Sequence, residues 1–428
     1  MIRARYTWIW IVLLIIAGCG TTRETQQETS VLASLYNPSE FSLSAEYRVF
    51  HESPDQSRLY FRLYPNEILF NQANEDAEYR AVVRLSYIIY RLGEDQEPRT
   101  RVDSSAITFK LDRDVQSRSA WLNSFSLELP EGVSYLMEIR IRDMQRGSIG
   151  LEHVFVNKKN LFTGQNFKIL SATTGLPKFM NYFYPNEAFY LDYRLPGYDT
   201  VYVDYFDMES ELPRAPLTGS FGYTEKIDPD TTLILPFADT ITFRLPREGR
   251  YHFRVDPDRR EGMTMFNFGP TFPDIKTEKD LLEPVFYLAT LSEYRDLRRA
   301  ENTKVAVDDF WLNRGSSMAR SKELIRIYYN RVRYSNIFFT ADKEGWKTDR
   351  GMVFILFGPP DRMRTTGTEE RWYYVSRRRG KVIEFLFERS PSVYTTDDFI
   401  WKKNQEALSY WNEAVSSWRK GKVFSLSN

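Results

Sequence analysis

The chain has 428 residues; 58 Lys and Arg balance 58 Asp and Glu, 42% are hydrophobic and 15% aromatic. That composition excludes a disordered chain, which needs low hydrophobicity and high net charge, and a nucleic-acid binder, which needs a concentrated basic face. The single cysteine, Cys19, excludes an internal disulfide and a CxxC redox site.

Arg3 and Arg5 lead into an apolar run from Thr7 to Ile16, which ends in Ala17-Gly18-Cys19. This is the pattern of a bacterial lipoprotein signal peptide over residues 1–18. The run is too short to span a bilayer as an uncleaved anchor and carries the flanks of a cleaved segment. Cys19 is then the expected lipidated N-terminus, with palmitate among its acyl chains. Each buried CH₂ contributes about 0.8 kcal/mol, so several chains hold firmly where one holds marginally. Residues 19–32 are polar and predict a flexible tether. Without the leader, 56 basic residues face 58 acidic ones. No Asp follows Cys19, so nothing points to inner-membrane retention. The expected location is the outer membrane, lipid-anchored, with the body in the periplasm.

Residues 33–160 read as a β-sandwich module. Tyr60 to Tyr64, Val82 to Tyr90, Trp121 to Leu129 and Leu136 to Met144 are strand-like, separated by turn clusters such as Glu94-Asp95-Gln96-Glu97-Pro98. Residues 161–262 read as a second sandwich, with strands at Ala188 to Tyr193, Val201 to Tyr205, Thr240 to Phe243 and Tyr251 to Val255. Tyr64-Pro65-Asn66-Glu67 recurs as Tyr184-Pro185-Asn186-Glu187. The recurrence marks either related modules or ordinary Pro-Asn turn chemistry.

Turn formers from Asp256 to Asp274 mark a boundary, and residues 263–428 read as an α+β domain. Leu281 to Leu288 form a helical face interrupted by Pro284. Met318 to Phe338 is the clearest helix, with Ile325, Tyr328, Tyr329 and Val332 on one stripe. Strands are expected at 352–357, 372–375 and 382–387. A closing helix is expected near 402–419, with Leu408, Trp411, Val415 and Trp418 on one face and Gly421 as its stop. The fold class is mainly β plus α+β: two antiparallel sandwiches followed by an α+β domain.

Between the long helix and the segment 352–357 lies Gly345-Trp346-Lys347-Thr348-Asp349. After that segment come Gly358-Pro359-Pro360-Asp361 and then Trp372. This resembles the GWxTD domain, a bacterial family named for its pentapeptide, over about 277–390. Family members often carry lipoprotein signals and β-rich N-terminal regions. The resemblance implies an architecture and transfers no catalytic residue. Read physically, Gly345 supplies a turn with φ above zero, Trp346 buries its ring, and Thr348 and Asp349 fix the turn by bonding backbone N–H groups. The functional alternative pairs Asp349 with Asp361, assisted by Arg350 or Lys347. Six strand residues would separate them by about 20 Å, against the ~5–9.5 Å that paired carboxylates need.

His51, His153 and His252 lie far apart, with no zinc spacing among them. Asp256, Asp258 and Glu261 lack the EF-hand order and read as a solvated turn. No phosphate-binding loop, dinucleotide motif or nucleophile elbow occurs. The expectation is no cofactor, no metal and no catalytic residue. Arg377, Arg378, Arg379 and Lys381 read as a charged hairpin turn or as a contact for an anionic partner. Together these lean away from an enzyme, towards a binding or scaffold component of an envelope complex serving assembly, secretion or transport, with an envelope protein as partner. The alternatives are a glycan- or peptidoglycan-acting enzyme and a carbohydrate-binding lipoprotein.

Overall fold

Strict alternation builds the N-terminal half. In β2 (Gln56–Leu63) every second residue, from Ser57 to Leu63, is buried, so one face of the strand looks into a core. The computed structural model describes residues 43–426 apart from 73–78, 95–97, 194–196, 209–227, 239–240 and 377–379, with Ala33, Tyr36 and Asn37 ahead of them.

The first module packs two antiparallel sheets. One holds β1 (Ala45–His51), β2 and β5 (Trp121–Glu128) in the order β1-β2-β5; the other holds β3 (Ala81–Leu92), β4 (Pro98–Leu111), β6 (Val133–Asp143) and β7 (Ile149–Lys158) in the order β4-β3-β6-β7. A one-turn helix, α1 (Arg113–Gln116), lies between β4 and β5. Val49, Leu59, Phe61 and Leu127 of the smaller sheet meet Val83, Leu85, Ile89, Met137 and Ile139 of the larger one.

The second module repeats this plan. Its strands are β8 (Phe167–Ser171), β9 (Phe189–Tyr193), β10 (Thr200–Phe206), β11 (Thr231–Pro236), β12 (Thr242–Phe243), β13 (Gly249–Arg254) and β14 (Met263–Asn267). They form sheets in the orders β12-β9-β8 and β11-β10-β13-β14. Counted within each module, the smaller sheet joins strands 1, 2 and 5, and the larger joins 4, 3, 6 and 7. This is a Greek-key sandwich of the immunoglobulin-like class, built twice. The last strand, β14, falls beyond the boundary expected at 262.

The two Tyr-Pro-Asn-Glu turns occupy different places in that plan. Both close with the Glu N–H donating to the Tyr carbonyl, at 3.0 Å in each case. The first follows the second strand of its module as the 3₁₀ turn Pro65–Glu67, while the second precedes that strand and holds Asn186 at φ 66°. They are turn chemistry and not the mark of the repeat. The mark is elsewhere. Leu129-Pro130-Glu131-Gly132-Val133-Ser134-Tyr135 and Leu245-Pro246-Arg247-Glu248-Gly249-Arg250-Tyr251 each lead into the sixth strand of a module. Tyr135 OH donates to Pro130 O at 2.8 Å, and Tyr251 OH to Arg247 O at 2.9 Å. Both are tyrosine corners, pinning the crossing between sheets.

The C-terminal part is helical, then β, then helical. Its helices are α2 (Glu278–Leu282), α3 (Leu291–Arg299), α4 (Thr303–Leu312), α5 (Met318–Phe339), α6 (Asp349–Phe357) and α7 (Gln405–Arg419). Each begins at a side-chain cap: Thr277, Thr290, Asn302, Ser317, Thr348 and Asn404. Pro284 ends the first helical run, which continues as the 3₁₀ turn Glu283–Tyr287. A four-stranded meander follows: β15 (Arg362–Thr365), β16 (Glu369–Val375), β17 (Val382–Arg389) and β18 (Phe399–Trp401).

One expected strand is a helix. Residues 352–357 belong to α6, and every residue from Arg350 to Phe357 is buried. A continuous apolar run suits either a doubly covered strand or a helix enclosed on all sides. Here α5, α7 and the sheet enclose it. Trp411 and Trp418 of α7 are 2% and 0% exposed, so that helix packs on its own domain.

Candidate functional site

The pentapeptide sits where α5, the 3₁₀ turn Gly345–Lys347 and α6 meet. Gly345 lies against the backbone of α5: a Cβ there would fall 1.9 Å from Ser335 O. Gly351 lies against the turn, where a Cβ would fall 1.9 Å from Gly345 O. The need at Gly345 is close approach; it is not among the glycines with positive φ, contrary to expectation. Trp346 is 4% exposed. Its N–H donates to Asn336 Oδ1 at 3.1 Å, and its carbonyl accepts from Tyr287 OH at 2.7 Å.

Thr348 works in two directions. Its Oγ1 donates to Gly345 O at 2.8 Å and accepts from Gly351 N at 3.0 Å, capping α6. Asp349 Oδ2 accepts from Trp401 N at 2.8 Å and ties α6 to β18. Burial pushes its carboxyl above the usual range, against the pull of that bond. Lys347 Nζ lies 3.0 Å from Glu344 and 4.0 Å from Glu283, with its side chain buried.

The far end of α6 is secured just as fully. Arg331 Nη1 donates to Ile355 O at 3.0 Å and Leu356 O at 3.1 Å, and Trp418 Nε1 donates to Leu356 O at 3.0 Å. Gly358, at φ 86°, turns the chain where a Cβ would meet Arg331 Nη2 at 2.6 Å. Its carbonyl accepts from Tyr374 OH at 2.8 Å. Pro359 and Pro360 carry the chain to Asp361, whose Oδ2 accepts from Val375 N at 2.7 Å.

Asp349 and Asp361 therefore serve different strands. The nine-residue helix between them rises about 13 Å. The expected 20 Å of strand is corrected, but the carboxylates still do not converge.

Two residues that pattern reading undervalued bind this unit to the sheet. Arg350 Nη1 donates to Glu370 Oε1 at 2.9 Å, with both side chains under 9% exposed. Glu370 Oε2 accepts from Trp372 Nε1 at 3.1 Å, and Trp372 is fully buried. In sequence Arg350 enters only as a helper of the Asp349–Asp361 pair, Glu370 draws no reading, and no local signal joins the two.

Residues 249–420 match the GWxTD domain. The match is wider than the expected 277–390 and begins at β13, so the family pattern takes in the last two strands of the second sandwich as well as the motif. No curated protein matches the chain. Among solved structures, the crystal structure of Spo0M, a sporulation control protein from Bacillus subtilis, aligns at 12% identity over 27% of this chain and 49% of that one. Its TM-score is 0.17, and the overlap carries no argument about fold or function.

The GWxTD domain borders two clefts. One, of about 420 Å³, lies against the second sandwich and is lined by Trp346, Glu344 and Glu283 on one side and Arg247, Glu248 and Asn267 on the other. The second, of about 480 Å³, lies between both sandwiches and the segment Pro391–Asp397. Tyr394 anchors that segment: its ring packs on Phe206 and His252, with the Arg250 guanidinium 3.7 Å from its centroid.

Of the remaining candidates, Cys19 and Arg377, Arg378 and Arg379 lie outside the described residues. Lys381 is exposed, just ahead of β17. Among the described residues, no group of three or more His, Cys, Asp or Glu is placed to hold a metal ion, and no helix is long and apolar enough to cross a membrane.

Proposed function

We propose that this chain is an outer-membrane lipoprotein whose body lies in the periplasm and serves as a non-enzymatic binding or scaffold component of an envelope complex. The observation that carries the reading is the use made of the motif. The hydrogen bonds and close contacts given above for Gly345, Trp346, Thr348 and Asp349 run to α5, α6, β18, Tyr287 and the turn itself, all within this domain. A motif used this way builds a rigid platform, and a rigid platform on two sandwich arms suits presentation of a surface. The N-terminal signal pattern supplies the address. Mass spectrometry of the native protein tests it: the expected species begins at an acylated Cys19 and fractionates with outer membranes. An intact leader or a free thiol at Cys19 overturns the anchoring part.

A second reading, an envelope glycan- or peptidoglycan-acting enzyme, draws on the smaller cleft. Burial, reinforced by Glu344, holds the Glu283 carboxyl above the usual range despite nearby Lys347. A raised carboxyl in a cleft is a general-acid candidate. Glu283→Gln separates the readings: loss of turnover on envelope glycan supports the enzyme, and unchanged crosslinking to envelope proteins supports the scaffold.

A further inference from the structure

Alternation along β1 turns Ala45, Tyr47 and Val49 into the core of the first sandwich and leaves Glu46, Arg48 and Phe50 on its outer face. That outer face meets the second sandwich. Glu46 is held by Arg62 and, at 2.9 Å, by Tyr64 OH, while the Arg62 guanidinium lies 4.7 Å from the Phe179 centroid. Phe50 packs edge-on against Tyr60, whose ring carries Lys168 Nζ at 5.2 Å. Arg48, between them, is half-buried and lines the cleft of about 480 Å³. Among the described residues no hydrogen bond or ion pair reaches its guanidinium. Burial pushes that group below its usual range, and the pull of Asp397 and Glu46 offsets this only in part. Both carboxylates are committed elsewhere, Glu46 to Arg62 and Asp397 to Arg389 at 3.3 Å. The buried arginines nearby are satisfied: Arg350 reaches Glu370 Oε1 and Asp397 O, and Arg389 reaches Gly367 O and Thr396 O. A half-buried charge without acceptors is costly, and a bound anion relieves that cost.

We propose that this cleft is a binding site for a small polar ligand bearing one carboxylate, which the Arg48 guanidinium holds. A planar guanidinium presents parallel N–H donors that match both oxygens of a carboxylate. The volume falls within the range of about 300–1,000 Å³ usual for ligand sites. Asp397 and Glu261 also line the cleft. A phosphate dianion would therefore meet two carboxylates with one guanidinium to offset them, whereas a monoanion matches the single fork. Asn181 and Thr396 add amide and hydroxyl groups to the wall, and Phe50 adds an apolar patch. An acidic sugar and the C-terminus of a short peptide present the same carboxylate to Arg48. The inference needs neither the lipid anchor nor a catalytic group, and it gives the binding reading a place on the molecule.

The test uses the full-length protein and phenylglyoxal, which adds to free guanidinium groups, with the modified sites read by peptide mass spectrometry. Arg48 should react, while Arg350 and Arg389 should not. The probes are glucuronate and N-acetyl-alanyl-alanine, with glucose and the dipeptide amide as neutral counterparts and inorganic phosphate as the dianion. A ligand with one strong contact binds with a dissociation constant of about 1 mM, so about 10 mM of it should slow modification of Arg48 about tenfold. Exposed Arg84 should react at an unchanged rate. Protection by glucuronate alone supports the site with an acidic sugar, by the dipeptide alone with a peptide terminus, and by both with the shared carboxylate. An unreactive Arg48, equal protection by the neutral counterparts, stronger protection by phosphate, or none from either carboxylate overturns the proposal. Calorimetry adds a second readout. Arg48→Gln should abolish binding of the protecting probe, and Arg48→Lys, which keeps the charge and loses the fork, should weaken it about tenfold. Arg84→Gln should bind as the wild type does. Unchanged binding in Arg48→Gln puts the ligand elsewhere and overturns the site; if that variant does not fold, protection in the wild type decides.

Discussion

Gly345 and Gly351 are chosen by distance. Each lies where one extra carbon would meet a carbonyl oxygen at 1.9 Å, and backbone on both sides leaves nothing flexible to yield. Gly345→Ala should therefore destabilise the GWxTD domain by about 3 kcal/mol, read as a lower urea midpoint with an unchanged slope. A loss under about 1 kcal/mol would mean the turn can slide along α5, contrary to this packing. Two histidines make a different kind of prediction. His51 bonds Ser57 Oγ and Asn157 O, and His252 bonds Thr264 Oγ1 and Arg260 O, each through both ring nitrogens. Burial pushes both imidazoles down to about 4. The unfolded chain takes up these protons near pH 6.5 and the folded chain only near 4, so stability falls as pH drops through that window and is level below it. The loss approaches about 3 kcal/mol per histidine. Urea midpoints at pH 7 and pH 4.5 should differ less in His51→Gln and in His252→Gln than in the wild type. An unchanged slope in both variants would remove the assignment.

The sandwiches show how little sequence an element-level repeat requires. Their strand orders agree position for position, yet the shared residues are few: a buried Leu, a Pro and, six residues after the Leu, a Tyr whose hydroxyl reaches back. Alternation alone specifies faces; the corner specifies where the chain crosses between sheets. Tyr135→Phe and Tyr251→Phe should each cost about 1–1.5 kcal/mol, the net worth of one hydrogen bond. The two losses should appear in the unfolding of different modules, followed by hydrogen exchange in β6 and in β13. Equal protection lost from both modules in either variant would argue against separate corners. α6 teaches the converse. Its last six residues, Met352 to Phe357, carry no polar residue to set a phase, so period-2 and period-3.6 readings fit equally. Thr348, three residues before Gly351, is the one local signal for a helix, through its cap.

At the scale of the molecule, three units share one junction. Leu136 of the first sandwich fills the space where Gly367 has no side chain, Tyr394 docks in the second sandwich, and Tyr36 enters the GWxTD domain. None of these contacts has a sequence signature, because each joins residues more than a hundred positions apart and depends on two surfaces folded independently. The alternation of β2 and β3, the apolar stripe of α5, the helix caps and the pentapeptide were readable, since each involves neighbours within a few residues. The sequence by itself determined the order of β and α regions, the lengths of most elements, and the GWxTD motif with its expected burial. Tertiary structure alone decided that α6 is helical, that Arg350 pairs with Glu370, and that Tyr36 belongs to the C-terminal domain. The reason is physical: periodicity records which side of an element avoids water, whereas the choice of partner is made by whatever long-range packing brings to that side.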